Sequence, residues 1–500
     1  MQATEGNRTP FLCLGSIGNN HYTTVALRVA YPLFLLSASY LCEVYVNETE
    51  RVEHYRKMTE TPVSRLIGKL AVPTIISMLV SAIYNTADTF FVAQLGTSAA
   101  GAVGIVFSIM AIIQAIGFTI GMGAGSILSR QLGAKADREA TETASSGFAL
   151  ALILSILLAV AGIVFRPQLM RLLGATETIL PYAEAYAQYI FLGAPVMCCS
   201  FVMNNYLRAE GKAVYGMIGI TTGGLLNILL DPLFIFTFGF GTAGAAMATA
   251  LSQLISFCIL LSFFLRGKSS VRIRLSAVSG KVKLYIRIIT TGLPTLFRQG
   301  LASIANVALN VVAASFGDAA VAAMSIAGRI NMLAFSAMLG FGQGYQPVAS
   351  FNYGAKLYER VREATKFTAA AGTLIMLAVS IVCFAFAPAV IGAFRADDVL
   401  VMEIGVKALR LQMLLMPLTG LVTATNMGLQ STGNSGPATV LSMLRQGIFF
   451  LPLILIMPKV MGIGGVIAAQ PLSDAFSFVV AVFFYSSFLK MLKQKSLEIK

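Results

Sequence analysis

The chain has 500 residues, of which 57% are hydrophobic and only 12% are charged. Soluble proteins carry about 25% charged residues, so this composition excludes a soluble globular enzyme, and it excludes intrinsic disorder, which needs low hydrophobicity. The net charge of +14 requires no nucleic-acid partner, because membrane proteins collect Lys and Arg in their cytoplasmic loops. The apolar runs are about 20 residues long, the length that an α-helix needs to cross the bilayer core.

Residues 1–57 differ from the rest of the chain. They contain both histidines, His21 and His54, and a mildly apolar stretch at residues 23–46. A charge interrupts this stretch and no small-residue cleavage site follows it, so a signal peptide is not indicated. We expect residues 1–57 to be an N-terminal extension outside the fold, upstream of a natural start at Met58. Because no histidine lies in the membrane body, the sequence predicts no histidine metal site there.

Twelve apolar segments follow in chain order, and they predict an all-α membrane protein. The predicted spans are residues 66–93, 100–128, 144–165, 182–207, 213–237, 242–265, 288–315, 320–349, 367–388, 402–428, 436–458 and 463–489. The loops between them are short, so neighbouring helices should be antiparallel. The longest loop, residues 266–287, separates an N-lobe at 58–265 from a C-lobe with its tail at 288–500.

The positive charges predict the orientation of these spans. One side of the membrane receives 22 Lys and Arg residues, and the other side receives six. Since cytoplasmic loops carry the excess of Lys and Arg, the first side should be cytoplasmic. We therefore expect a multi-pass protein of the cell (inner) membrane in which both ends of the twelve-span body are cytoplasmic.

The second half of the body repeats the first at a separation of 221 residues. Matching residues are Pro73 and Pro294, Asn85 and Asn306, Gly121 and Gly342, and Gly133 and Gly354. The halves share one topology, so they are parallel repeats related by an axis along the membrane normal. Such repeats flank a central cavity and rock against each other for alternating access.

Few charged residues lie well inside the spans, and charge in the bilayer indicates function by default. They are the acids Asp88, Asp231 and Asp474 and the bases Arg298, Arg329 and Arg445. Asp88 shares a helix face with Asn85, and Asp231 shares one with Asn227. Two carboxylates with amide neighbours predict a site for a proton or for Na⁺, a hard cation that prefers oxygen ligands. The alternative is that each aspartate only pins its helix by hydrogen bonding.

The remaining intramembrane charges belong to the second half, where buried charges of opposite sign commonly pair. We expect Asp474 either to form an ion pair with an arginine or to contact the substrate or coupling ion. Arg298 and Gln299 follow Pro294, where span 7 can open, and they are candidates for the same roles. Pro73 removes a hydrogen bond from span 1 and predicts a bend there.

These features resemble the multidrug and toxic compound extrusion (MATE) family. The resemblance rests on the two six-helix halves and on the segments LAVPT at 70–74, YNTADTFFVAQLG at 84–96, RAEGK at 208–212 and NILLDP at 227–232. It covers about residues 60–490. The segment LFRQGLASI at 296–304 is similar to multidrug exporters of the MepA type in the DinF-like branch.

The resemblance implies a V-shaped exporter with N- and C-lobes that expels cationic amphiphiles, including drugs, in exchange for H⁺ or Na⁺. In the DinF-like branch the coupling site lies in the N-lobe, and Pro73 matches its helix-bending proline. The residues that match this site are Asp88, Asp231, Asn227, Asn204, Thr249 and Tyr84. The implied protein works as a monomer in the lipid bilayer, with no cofactor and no metal beyond Na⁺ at Asp88 and Asp231.

Two other functions are alternatives to export. A flippase for lipid-linked intermediates, from the same wider superfamily, would line its cavity with basic groups, and the three intramembrane arginines keep this alternative open. A membrane-embedded enzyme is more remote, because the spans contain only three acids and no histidine. The chain also lacks the GxxxxGK[ST] motif that binds ATP phosphates, so we expect ion-driven transport and no enzyme activity.

Overall fold

The computed structural model describes residues 49–395 and 398–498. The chain divides into two compact units, residues 1–57 and 58–500. Of the first unit only residues 49–57 are described, and they are helical. The rest of the predicted extension, with its apolar stretch, lies outside the described residues. The second unit contains every segment that the sequence predicts to cross the membrane.

Six long helices form the N-lobe of the second unit. They are Val63–Ala93, Thr97–Gly133, Asp137–Val164, Leu180–Ala209, Ala213–Pro232 and Gly241–Leu265, and they are called spans 1 to 6. Span 5 continues beyond Pro232 as a π-helical turn, Leu233–Thr237, because proline lacks the N–H that an α-helix requires. Span 4 packs against spans 2, 3 and 6, and span 1 packs against span 5.

The C-lobe repeats this arrangement in spans 7 to 12. Spans 7 to 9 are Val282–Ala314, Asp318–Gly354 and Tyr358–Ala385, span 10 comprises Val399–Leu415 and Thr419–Ser431, span 11 comprises Ser435–Met443 and Phe450–Met461, and span 12 is Ile463–Leu497. Short helices, Arg166–Leu172 and Ala387–Arg395, follow spans 3 and 9. No strand occurs among the residues that the structure describes.

The sequence predicts span 10 as one helix over residues 402–428. This prediction is wrong, because the span consists of two helices. A 3₁₀ turn, Met416–Leu418, divides it, and Pro417 within this turn cannot donate the hydrogen bond that an α-helix requires. Eleven of the described helices are long and apolar enough to cross a membrane, and the divided span 10 is the twelfth segment. The predicted all-α fold with twelve segments in two lobes is therefore confirmed.

Several helices extend beyond their predicted apolar runs. Span 3 begins at Asp137 rather than 144, and span 9 begins at Tyr358 rather than 367. Hydropathy marks only the part of a helix that lies in hydrocarbon, whereas backbone hydrogen bonding continues through the polar turns that follow. The boundaries predicted from apolar runs were accordingly too short at the charged ends.

The backbone follows the internal repeat closely. Span 2 ends at Gly133 and span 8 ends at Gly354, which is 221 residues later. Just beyond these ends, Lys135 and Lys356 adopt φ angles of 59° and 61°, a left-handed conformation that non-glycine residues rarely adopt. The same unusual turn thus recurs at the same place in each lobe, as expected for two homologous bundles.

The lobes meet where span 1 packs against span 8 and span 2 packs against span 7. Glycines allow these helices to approach closely. A Cβ atom added to Gly344 would crowd the backbone of Ala71, and one added to Gly123 would overlap the carbonyl oxygen of Ile288. Small residues at helix–helix contacts are the usual means of close packing in membranes.

Gly133 and Gly354 form a symmetric contact between the lobes, which we call the glycine contact. A Cβ atom on Gly133 would overlap the carbonyl oxygen of Phe351, and one on Gly354 would overlap that of Arg130. Arg130 and Phe351 are themselves 221 residues apart, so the contact obeys the repeat. Arg130 Nη1 also donates to the carbonyl oxygen of Ser431 at 2.9 Å. Backbone therefore touches backbone at the ends of spans 2 and 8.

Candidate functional site

The first half of the candidate site joins span 1 to span 4. Asp88 is only 7% exposed, and it lies in the apolar span 1, five residues before the helix ends at Ala93. The hydroxyl of Tyr186, which is fully buried, donates to Asp88 Oδ2 at 3.2 Å. The other carboxylate oxygen of Asp88, Oδ1, is buried without a hydrogen-bond partner among the described residues. One oxygen of Asp88 is therefore held by tyrosine and the other remains available.

The second half of the site joins span 5 to span 6. Asn227 Nδ2 donates to Asp231 Oδ1 at 2.9 Å and to Thr249 Oγ1 at 3.2 Å. Asn227 and Asp231 are four residues apart, so one face of span 5 carries both side chains. Asp231 is fully buried. Asn227 and Asp231, which the sequence places on one helix face, are thus hydrogen-bonded to each other, and Thr249 joins them through Asn227.

The two halves form one polar cluster in the N-lobe. Asp88 and Asp231 interact electrostatically. Tyr186, which donates a hydrogen bond to Asp88, also interacts electrostatically with Asp231. Three buried oxygen atoms lack a partner among the described residues, namely Asp88 Oδ1, Asn227 Oδ1 and Asp231 Oδ2. Two carboxylates and one amide oxygen fit a hard cation or protons, since an unsatisfied buried acceptor is costly.

The structure places the other two N-lobe candidates differently. Tyr84 is buried one turn before Asp88, and its ring packs against Gly224 of span 5 at the edge of the cluster. Asn204 is also buried, but its amide lies against Gly216. Gly216 precedes Asn227 by eleven residues, or about 16 Å of helix rise. The structure therefore does not bring Asn204 into the cluster, since its helix carries it to a different level.

Pro73 lies in a tightly packed part of span 1. Span 1 is one α-helix through Pro73, and the Ser77 hydroxyl donates to the Pro73 carbonyl at 2.9 Å. The hydroxyl of Thr74 donates across to the carbonyl oxygen of Gly340 in span 8 at 2.6 Å. The segment that contains the predicted bend is therefore held by the opposite lobe in this conformation.

The C-lobe candidates fall into two groups. Asp474 pairs with Arg445, whose Nε lies 2.7 Å from Asp474 Oδ1. Arg298 Nη1 lies 3.4 Å from the neutral Asn426 Oδ1. Gln299 is half-buried, and its carbonyl accepts a hydrogen bond from the Ser303 hydroxyl at 3.3 Å. Among the described residues, Asp474 is thus paired with an arginine, whereas Arg298 contacts a neutral amide and no acid.

Two residues that take part in these contacts escaped the sequence analysis. Tyr186 carries no sequence signal, because aromatic side chains are common in membrane helices and only the fold brings it to Asp88. Arg208 was counted among the cytoplasmic loop charges, yet it is only 4% exposed. Its guanidinium donates to Gln343 of the opposite lobe and to Asn205. A charge at a helix end gives no sign of whether it faces water or another helix.

Glu210 anchors the inter-lobe loop to the N-lobe. It is fully buried, and it accepts hydrogen bonds from the Ser269 hydroxyl at 2.6 Å and the Ser270 N–H at 2.7 Å. Burial raises the pKa of the Glu210 carboxyl, whereas Lys212 and the hydrogen bonds from the loop lower it. The Ser146 hydroxyl of span 3 accepts from the loop N–H of Ser279 at 2.9 Å. The loop is therefore part of the N-lobe surface.

Glu210→Gln is expected to release this loop. Glutamine presents an NH₂ group where an acceptor is needed, and an orphaned buried donor costs roughly 1–3 kcal/mol. Trypsin should then cleave at Lys268, Arg272 or Arg274 at least about threefold faster, because local opening governs proteolysis. The exposed Glu139→Gln change, near the start of span 3, serves as the control. An unchanged cleavage rate in a folded Glu210→Gln protein would refute the anchoring role.

Comparison with known proteins agrees with this architecture. The MatE family model matches residues 73–233 and 294–456, one stretch in each lobe. Multidrug export protein MepA of Staphylococcus saprophyticus is 27% identical over 415 residues, which cover 82% of this chain and 91% of that protein.

Solved structures give the same result. A crystal structure described as MATE in complex with MaL6 matches with a TM-score of 0.84 and 28% identity over 88% of this chain and 99% of that one. The outward-facing conformation of a multidrug resistance MATE family transporter of the MOP superfamily matches with a TM-score of 0.83 and 28% identity, over 87% and 98%.

Proposed function

The chain belongs to the MatE family of membrane transporters, and we propose that it exports cationic amphiphilic compounds in exchange for H⁺ or Na⁺. Family members are transporters and not enzymes. The buried cluster around Asp88 and Asp231 is the observation that carries the exchange mechanism. The name of the similar multidrug export protein MepA supports small-molecule drugs as the substrates.

The cluster supports coupling through its charge. Two carboxylates that share a buried site repel each other, and a bound proton or Na⁺ relieves this repulsion. Cation binding therefore stabilises the conformation in which spans 1, 4, 5 and 6 close around the cluster. A ligand shifts a conformational equilibrium by its difference in affinity for the two states. The coupling ion and the drug would then favour opposite conformations, with no other cofactor.

The distribution of charge supports the direction of transport. Spans 2 and 8 end beside Lys135 and Lys356, on the side that carries most of the positive charge, which the positive-inside rule assigns to the cytoplasm. The glycine contact closes the lobes at these ends. We take this conformation to be closed toward the cytoplasm. We also propose that the protein lies in the cell membrane, that both ends of its membrane body are cytoplasmic, and that it acts as a monomer.

Transport in proteoliposomes tests the exchange directly. Vesicles that contain the purified full chain are given a pH gradient, a Na⁺ gradient or no gradient, and ethidium movement is followed by fluorescence. We expect one of the two gradients to drive ethidium at least about tenfold faster than no gradient, since coupled export draws its energy from the ion. Equal rates under all three conditions would refute cation antiport.

A further inference from the structure

The C-lobe contains a cavity of its own, apart from the N-lobe cluster. Its volume is about 210 Å³, and spans 7, 8, 10, 11 and 12 line it. The wall combines apolar side chains, such as Leu309 and Phe335, with the charged groups Arg298, Arg445 and Asp474. Among the described residues that line the cavity, two are positive and one is negative. The cavity is therefore amphipathic and carries net positive charge.

The single acid in the wall is already neutralised. Asp474 Oδ1 accepts from Arg445 Nε at 2.7 Å and from Gln470 Nε2 at 2.9 Å. The guanidinium of Arg445 also stacks over the Phe335 ring, 4.3 Å from its centre. Charged partners held this way form a strong, geometrically fixed pair. Neither Asp474 nor Arg445 is thus left to compensate another charge.

Arg298 provides the uncompensated positive charge. Its Nη1 donates to Asn426 Oδ1 at 3.4 Å, and it forms no ion pair with an acid of the described residues. The amide of Asn426 donates to the carbonyl oxygen of Ala438 and to the Ser442 hydroxyl, both at 2.8 Å. These bonds fix the amide so that its oxygen faces Arg298. A guanidinium has five N–H donors, and most of those on Arg298 have no partner among the described residues, so they are available to a ligand.

Gln412 supplies a second, independent feature of the wall. It is 5% exposed and lines the cavity from span 10. Its side-chain oxygen is buried without a hydrogen-bond partner among the described residues. Since an unsatisfied buried acceptor is costly, a ligand with an N–H or O–H group would be stabilised there.

We propose that the C-lobe cavity binds an amphipathic carboxylate. The carboxylate pairs with Arg298, a donor group of the ligand reaches Gln412, and the apolar body rests on Phe335 and Leu309. Arginine suits this role because its planar fork matches a carboxylate with two parallel hydrogen bonds. An ammonium group gains nothing from this positively charged cavity. The inference goes beyond the proposed function, which concerns cations and the N-lobe.

Fluorescence titration of the purified full chain in micelles tests the site. The probes are dansylglycine, a carboxylate with a sulfonamide N–H, and dansylcadaverine, its cationic counterpart with the same aromatic group. Arg298→Gln should weaken dansylglycine binding at least about tenfold. Arg298→Lys keeps the charge but loses the planar fork, so it should weaken binding by less than Arg298→Gln does. Dansylcadaverine binding should not change with Arg298→Gln. The exposed Arg329→Gln, in span 8 and outside the cavity wall, is the matched control.

A second variant keeps every charged residue but fills the C-lobe cavity. Ala302 lines the cavity one turn beyond Arg298, and Ala302→Phe should fill it and abolish dansylglycine binding. Unchanged dansylglycine affinity in both Arg298→Gln and Ala302→Phe would overturn the proposal. The titration uses no ion gradient, and Asp88→Asn should bind dansylglycine like the unaltered chain. The titration can therefore refute the C-lobe carboxylate site without bearing on cation exchange, and the transport assay can refute cation exchange without bearing on this site.

Discussion

Asp88→Asn is expected to abolish coupled export while leaving expression and folding intact. Asparagine has nearly the same volume and can still accept the hydrogen bond from Tyr186, but it can neither bind a proton nor neutralise Na⁺. Because intramembrane charges are retained for function, ethidium efflux from cells should fall at least about tenfold. Efflux and resistance are measured beside the amount of protein in the membrane.

Two further variants sharpen this result. Asp231→Asn should have the same effect if the two carboxylates act as one unit, and the double variant should be little worse than either alone, since coupled residues are not additive. Asp318→Asn, an exposed acid at the start of span 8, should export normally. Normal resistance in a well-expressed Asp88→Asn protein would contradict the coupling role.

Gly354→Ala is expected to open the contact between the lobes. The added Cβ would overlap the carbonyl oxygen of Arg130, and backbone cannot rotate away as a side chain can, so spans 2 and 8 must separate. Overpacking of this kind costs roughly 1–3 kcal/mol, which shifts a two-state equilibrium by about five- to 150-fold. The closed conformation should lose population, and export should fall with it.

Cysteine labelling measures this opening. Ser350 is 1% exposed and lies at the interface between the lobes, so a cysteine there should react slowly with a maleimide when the native cysteines have been replaced. Gly354→Ala should accelerate labelling at least about fivefold, and Gly133→Ala should do the same by the repeat symmetry. Gly68→Ala, which meets no atom within 4 Å, is the control. Slow labelling with full export in Gly354→Ala would refute the contact as a determinant of the conformation.

Much of the candidate site was predictable because its signals are local. Asp88 and Asp231 stand out as rare charges in apolar runs, and the four-residue spacing of Asn227 and Asp231 already places both on one helix face. The glycine contact was visible in part, since Gly133 and Gly354 recur at one fixed separation. Their meaning was not visible, because a repeat shows that two positions are equivalent and does not show that they touch.

The misses share a physical cause. Tyr186, Arg208 and Asn204 all lie on span 4, which packs against spans 2, 3, 5 and 6. The rotation of such a helix decides which neighbour each residue meets, and an apolar run defines a helix without defining its rotation. Tyr186 thereby reached Asp88, Arg208 reached the opposite lobe, and Asn204 was carried away from the cluster.

The sequence by itself determined that the protein crosses the membrane, that it has two homologous halves, and which few charges lie inside the spans. These follow from hydropathy, repetition and composition, which act along the chain and need no partner. The tertiary structure decided what those charges do. It joined Asp88 to Tyr186 and paired Asp474 with Arg445, but among the described residues it gave Arg298 no acid as a partner. Contacts between different helices set the charge balance of a buried site, because each electrostatic interaction is stronger in the low dielectric of the interior than in water.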